Sequence, residues 1–346
     1  MHKFDYSFLR ESIPCQVVGA VDIISDLNTK EMFRRQQYKT TFEKLREVAI
    51  IESVKGSNAI EGIVTTDDRI RDIVAGAAPV SHQEQEISGY KDAVQAIHEG
   101  YRHMDVTEET ILFFHKSIEQ ISDPYGAGKY KHRDNLIMEY HSDGTRRVRF
   151  KTVNAVDTPA AIEQMLLAYY DARQDSVIPD ILLIPCVVLD FLCIHPFLDG
   201  NGRVSRLMSV LMLYIAGYDI CKYISFEGQI NEYKDSYYQA LQKSSVGWHE
   251  NANDYMPFVI NFLQLLYRCF KNLDDSFTEI SLKKAKKSER VEAVLLSAIV
   301  PISKADVMHK LPDVSVKTVE LVISKLLKTG KIDKIGTYRD ARYIRR

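Results

Sequence analysis

Residues 195–206 read His195-Pro196-Phe197-Leu198-Asp199-Gly200-Asn201-Gly202-Arg203-Val204-Ser205-Arg206 and join the end of one apolar helical stretch to the start of another. Upstream, Ile181 to Ile194 is the most apolar run of the chain, interrupted by Asp190 and shorter than the ~20 residues that a membrane span needs. It reads as a buried core helix. Downstream, Val204, Leu207, Met208, Leu211 and Ile215 recur at helical spacing as a buried stripe, with Arg203 and Arg206 together on one side of the first turn. Two apolar helices meeting through a glycine-flanked turn are the centre of a helical domain.

Outward from that centre, apolar residues keep helical spacing in Thr41–Ser57, Gln83–His98, Glu108–Ile121, Thr158–Ala172, Pro179–Ile194, Arg203–Ala216, Glu232–Lys243 and Asp254–Leu273. The fold class is therefore mainly α. One strand signal stands out, Leu136–Tyr140 and Arg147–Lys151 around His141-Ser142-Asp143-Gly144-Thr145, where Asp-Gly favours a tight turn. A lone hairpin is not stable alone, so it must pack on the helices or cover something.

The run Lys283-Lys284-Ala285-Lys286-Lys287 reads as a linker. Beyond it, helical stretches Glu289–Val300, Ser303–Lys310 and Ser315–Thr329 precede candidate strands Lys331–Ile335 and Ala341–Ile344, the layout of a small winged-helix domain. Three domains are expected: an N-terminal helical region over 1–100, a core over 101–280 and the winged helix over 281–346. In such a module Ser315, Lys317 and Thr318, near the start of the third helix, would face bases or phosphates. Protein contact or dimerisation serves the same layout and is the favoured reading over DNA, because the basic excess is spread out and the module has no aromatic stacking signature.

Composition sets the outer limits. The 346 residues are 45% hydrophobic and 27% charged, an ordinary globular balance with room for about two domains. Residues 281–346 hold 16 of the 45 Lys and Arg and 7 of the 47 Asp and Glu, a net charge of +9 against −11 for residues 1–280. Opposite signs suggest modules with different partners. Cys15, Cys186, Cys193, Cys221 and Cys269 are scattered in mostly apolar surroundings with no metal-type spacing and read as reduced core residues. With no apolar leader after Met1 and no membrane span, the expectation is a cytoplasmic protein without membrane contact.

The chemistry lies in the twelve residues quoted first. Gly200 and Gly202 admit backbone angles closed to other residues, and successive N–H groups at a helix start form an anion-binding nest. Arg203 and Arg206 oppose the helix dipole, a cost of ~0.3–1 kcal/mol per group that an anionic ligand reverses. Asp199 beside a phosphate would repel it unless Mg²⁺ lies between them. His195 can accept a proton from an attacking hydroxyl near neutral pH. Singly, each element is weak, since a histidine ending a core helix is usually structural. Together they describe a nucleotide-phosphate site.

The string HPFLDGNGRVSR resembles, without gap or substitution, the Fic-family motif HxFx(D/E)GNGRxxR, and the resemblance extends over roughly residues 30–275. It implies a Fic-type helical bundle in which His195 is the general base and Asp199 holds Mg²⁺ or Mn²⁺. Asn201 and the Gly200–Gly202 backbone would bind the α- and β-phosphates of ATP, Arg203 the β-phosphate and Arg206 the γ-phosphate. The implied reaction is transfer of AMP from ATP to a Ser, Thr or Tyr hydroxyl of a target protein, or of the chain itself, with pyrophosphate leaving. Relatives that transfer phosphate carry a larger residue at Gly202, so Gly202 favours AMP transfer. Gly128-Lys129-Tyr130-Lys131-His132-Arg133 is similar to the family's G-x-[YF]-R segment, with Lys131 at the expected arginine. The hairpin would be the family's flap, docking the target along Leu136, Ile137 and Met138.

Nearer the N-terminus, Ser57-Asn58-Ala59-Ile60-Glu61-Gly62 resembles the family's inhibitory motif [S/T]xxxE[G/N], in the arrangement called class II. Here Glu61 would take the γ-phosphate's place on Arg206. The same residues also read as an ordinary helix C-terminus capped by Gly62. In some relatives this glutamate also serves removal of AMP, a second direction left open. So are a nucleotide-sensing transcription regulator acting through the winged helix, a homodimer, and Tyr125, Tyr130 or Tyr140 as sites of self-modification.

Overall fold

The computed structural model describes residues 2–11, 13–120, 123–140, 145–284, 287–298, 301–337 and 341–345. The chain divides into two compact units, Met1–Leu273 and Asp274–Arg346. The first is mainly helical with one two-stranded hairpin, as the periodicity predicts. Among the described residues no helix is long and apolar enough to cross a membrane.

At the centre of the first unit stand α7 (Asp180–Ile194) and α8 (Asn201–Ile215), packed on each other. Every residue of α7 from Ile181 to Ile194 is buried, which is why its sequence is apolar all round and shows no polar face. Asp190 shares that burial. Its carboxylate accepts hydrogen bonds from Tyr6 Oη at 2.8 Å, Trp248 Nε1 at 2.7 Å and Tyr255 Oη at 2.9 Å. Burial still pushes it up to about 7. These bonds fasten the N-terminal segment to α7. Around this pair lie α4 (His82–Gly100), α5 (Glu108–Glu119) and α6 (Thr158–Gln174). The N-termini of α4 and α5 are capped by Ser81 and Thr107.

The helix α2 (Lys39–Ile60) packs against α4 and against α9 (Phe226–Glu232). Contact with α9 is close at Gly56, where an added Cβ would sit 2.9 Å from the Glu227 carbonyl carbon. The helix expected over Glu232–Lys243 is α10 (Lys234–Ser245), separated from α9 at Tyr233 with φ −111° and ψ 33°. The last helix of this region, α11, runs Met256–Lys284. Two helices carry too little apolar periodicity to be read beforehand. In α1 (Cys15–Gln37) only Val17, Ile24 and Glu31 are buried, and α3 (Asp67–Val74) is short. For α3 the signal was its start, Thr66-Asp67-Asp68, where the Thr66 side chain accepts from the Arg69 N–H.

The hairpin consists of β1 (Leu136–Tyr140) and β2 (Arg146–Lys151), with Leu136 opposite Lys151 and Ile137 opposite Phe150. Met138 then faces Val148, so Arg149 is an extra residue that bulges the second strand. Residues 141–144 of the expected turn lie outside the described residues.

In the second unit α12 (Lys287–Ser297), β3 (Ile302–Ser303), α13 (Lys304–Lys310), α14 (Val316–Lys328), β4 (Ile332–Ile335) and β5 (Arg342–Arg345) follow in order. The strands form an antiparallel sheet in the order β3-β5-β4 over a core that includes Val291, Leu295, Val307, Val319 and Leu326. Much of the lysine-rich stretch is helical, since Lys283 and Lys284 end α11 and Lys287 opens α12, while residues 285–286 lie outside the described residues. Ser315 is spent locally, its side chain accepting from the Thr318 N–H as the cap of α14.

Gly56→Ala should force α2 and α9 apart and cost about 1–3 kcal/mol, read as a lower midpoint in chemical denaturation. Gly19→Ala, in α1 with nothing within 4 Å of the new methyl, should instead stabilise by ~0.5–1 kcal/mol. Equal shifts of one sign would refute the close approach.

Candidate functional site

The site is built on the connection between α7 and α8. His195 ends α7 with φ 53° and ψ 62°, a left-handed conformation uncommon for a residue with a side chain. Gly200 also takes positive φ, 77°, just before α8. Between them Asn201 folds back. Its Oδ1 accepts the Phe197 N–H and its Nδ2 donates to the Phe197 carbonyl, both at 2.9 Å. The Asn201 side chain thus braces the loop, and what it offers an anion is its backbone N–H. No side chain caps the start of α8, so the helix presents a free N-terminus.

His115 locks the outer side of the loop. Its ring stacks on Phe197 with centroids 3.8 Å apart, and Nδ1 accepts the Gly128 N–H at 3.0 Å. That bond places the ring proton on Nε2, toward the backbone of Asp199; burial lowers the imidazole to about 4. Asp199 itself reaches out of the loop with its side chain 85% exposed. One of its oxygens accepts the Gly200 N–H at 2.6 Å.

The sequence suggests an amphipathic α8 with its arginines on one face. In the structure nearly every residue from Asn201 to Tyr214 is buried, both arginines included, because carboxylates from other helices meet them. Arg203 donates to Glu86 on α4 and, at 2.8 Å, to Glu119 Oε1 on α5. Arg206 Nε donates to Ser57 Oγ at 2.9 Å, while Nη2 donates to the Ser57 carbonyl at 3.1 Å and to Glu61 Oε1 at 2.8 Å. Glu61 caps the C-terminal end of α2, and Lys234 Nζ holds the preceding Ile60 carbonyl at 2.5 Å. Gly62 follows with φ 80° as the helix stop. The hexapeptide thus ends α2 and also supplies partners for Arg206. Gly202 makes the contact possible, since a Cβ there would lie 2.3 Å from Glu61 Oε1.

Glu61, His195 and Gly202 share one wall of a cavity of about 220 Å³ with Ile137, Phe150, Tyr238 and Leu241. The hairpin lines this cavity through Ile137, Arg149 and Phe150; strand alternation sends Leu136 elsewhere, half exposed. His195 Nδ1 lies 3.4 Å from the Leu192 carbonyl, which leaves Nε2 as the lone-pair nitrogen. Burial, helped by the Lys131 charge, lowers His195 to about 4. Among the described residues no group of three His, Cys, Asp or Glu side chains could hold a metal ion by itself. The structure brings together His195, Gly202, Arg206, Ser57, Glu61 and Ile137, and places Asp199 and Arg203 on the same loop and helix. Glu86, Glu119, His115, Lys234 and Tyr238 were not singled out from the sequence. For Glu119 and His115 a signal existed, polar residues on the buried stripe of α5 beside Ile111, Phe114 and Ile118.

Residues 105–213 match the model of the Fic/DOC family. Over that stretch the chain is similar to the Fic/DOC family. Protein adenylyltransferase Fic of Nematostella vectensis is 23% identical over 242 residues, covering 66% of this chain and 49% of that protein. Protein adenylyltransferase Fic of Drosophila melanogaster is 23% identical over 180 residues, 51% of this chain and 34% of that protein. The chain therefore spans half or less of the length of these curated relatives. In fold it is similar to a Fic family protein from Desulfovibrio desulfuricans, with TM-score 0.62 and 19% identity over 97% of each chain. Fic-1 from C. elegans gives TM-score 0.60 at 17% identity, over 77% of this chain and 74% of that one. The histidine, glycine turn and arginines described above lie inside the stretch that matches the Fic/DOC family, whereas Ser57, Glu61 and Glu86 come from outside it.

Because burial favours the neutral ring, the His195 resonance should titrate near 4 by NMR, leaving the ring unprotonated across roughly pH 5–8. The unfolded chain binds this proton first, so the contribution of His195 to stability falls as pH drops from about 6.5 toward 4. A midpoint at the ordinary value would refute the shielding.

Proposed function

We propose that this chain is a protein adenylyltransferase, transferring AMP from ATP to a protein hydroxyl, and that it rests in a closed state held by Glu61. The observation that carries the reading is the contact of Glu61 with a buried Arg206, beside a cavity that Glu61 and a neutral His195 both line. The names of the Nematostella and Drosophila relatives support the reaction class.

On this reading His195 Nε2 takes the proton of the target hydroxyl, whose oxygen attacks the α-phosphorus; the bond to the bridging oxygen breaks and pyrophosphate leaves. The uncapped N–H groups of Asn201, Gly202 and Arg203 receive phosphate oxygens. Arg206 receives the γ-phosphate once Glu61 has left. Arg203 serves the β-phosphate while Glu86 and Glu119 keep its charge balanced. Asp199 suits Mg²⁺ or Mn²⁺, since Mg²⁺ takes one or two carboxylates plus substrate phosphates and water, not an all-protein cage. That cation would neutralise phosphate charge. The cavity of about 220 Å³, apolar at Ile137, Phe150 and Leu241, would take the base, and the flap edge at Leu136–Met138 would pair with the target. We assign residues 1–100 to the inhibitory region, 101–280 to the catalytic core and 281–346 to a winged-helix recognition module.

Incubation with α-labelled ATP and Mg²⁺ tests the proposal. Glu61→Gly should raise self-labelling roughly tenfold for each 1.4 kcal/mol of competing contact removed, and His195→Ala in that background should abolish it. Labelling from γ-labelled ATP but not from α-labelled ATP would overturn AMP transfer. No gain in Glu61→Gly would overturn the closed resting state.

A further inference from the structure

We propose that Lys131 is a positioning residue that fastens both ends of the flap hairpin to the His195 loop and places a positive charge beside the His195 ring. Lys131 is only 4% exposed, an unusual setting for a lysine, and none of its hydrogen bonds goes to a carboxylate. Its ammonium donates to Asn135 Oδ1 at 2.9 Å, Thr152 Oγ1 at 3.0 Å and the Ile194 carbonyl at 3.2 Å. An ammonium carries three protons, so these acceptors satisfy it fully.

The three oxygens come from three separate segments. Asn135 immediately precedes β1, Thr152 immediately follows β2, and Ile194 immediately precedes His195. Backbone bonds repeat the connection: the Lys131 N–H donates to the Pro196 carbonyl at 2.9 Å, and Asn135 Nδ2 donates to the Phe197 carbonyl at 2.9 Å. Thr152 Oγ1 in turn donates to the Asn135 carbonyl at 2.8 Å. Lys131 therefore holds carbonyls on both sides of His195, the residue whose left-handed backbone most needs external fixing. A lysine suits acceptors spread in three directions better than the planar fork of an arginine does.

The charge matters as well as the hydrogen bonds. The groups facing His195 are Glu61 at the end of α2, Asp199 in its own loop, Lys131, and Arg149 and Tyr238 across the cavity. The two carboxylates favour the imidazolium and Lys131 opposes it. Burial lowers Lys131 itself to about 8, with Asp134 acting the other way, so it is charged near neutral pH.

The significance of this tie rests on His195 being the proton acceptor, but its test does not. Amide hydrogen exchange of residues 136–140 and 146–151 and NMR titration of His195 are measured on full-length wild type, Lys131→Met and Thr152→Val. Lys131→Met should speed flap exchange by about tenfold or more, as loss of charge-assisted hydrogen bonds predicts, and should move the His195 midpoint upward. Thr152→Val keeps the charge and should speed flap exchange while leaving that midpoint in place. Lys131→Arg should hold the midpoint near wild type, separating charge from shape. Flap exchange within about twofold of wild type in Thr152→Val overturns the tie, even if Lys131→Met does not fold. An unmoved midpoint in folded Lys131→Met overturns the electrostatic part. Neither readout needs nucleotide transfer, so failure here and failure of the labelling experiment are distinguishable.

Discussion

A guanidinium shut away from water must find partners or destabilise the fold, and Arg206 is such a group. Ser57 supplies a hydroxyl and a carbonyl and Glu61 a carboxylate, so the C-terminal end of α2 has to lie against the start of α8. Several other features follow from that one requirement. Gly56 allows α2 to approach α9, Gly202 leaves room for the Glu61 carboxylate, and Lys234 fixes the last carbonyl of α2. A side chain at either glycine would move the helix end that Arg206 needs.

The two arginines of α8 differ in how firmly they are held. Arg203 sits between Glu86 and Glu119, whose side chains are nearly as buried as its own, whereas the Glu61 side chain is 32% exposed. Water can solvate Glu61 when it swings away, so its contact is replaceable at lower cost than the other two. The start of α8 therefore has one arginine between two buried carboxylates and one whose carboxylate partner is partly exposed. On the proposed reading Arg203 keeps its carboxylates while it serves the β-phosphate, and Arg206 exchanges Glu61 for the γ-phosphate.

The loop between α7 and α8 is held by His115 against Phe197 and Lys131 against Ile194, and the start of α8 by Arg203 through its carboxylates. Asp190 does the same for α7 from below, drawing in Tyr6, Trp248 and Tyr255. Each of these buried polar groups costs desolvation and is retained with hydrogen-bonding partners, although Arg203 Nε has none among the described residues, and this fixes a unique arrangement more than it adds stability.

Helix positions, the lone hairpin and the twelve-residue turn were legible in the sequence because they depend on local spacing, on apolar periodicity and on the backbone freedom of Gly200 and Gly202. Glu61 was legible through its motif beside Gly62, although Arg206 lies 145 residues away. What only the tertiary structure decided is where the charges go. That Arg203 would meet Glu86 and Glu119, 117 and 84 residues distant, that Asn201 would spend its side chain on Phe197, and that Lys131 would reach past the flap to Ile194 are outcomes of packing. Periodicity identifies which face of a helix is buried, but a buried charge is stabilised by atoms from other segments, and their identity exists only once the helices have met.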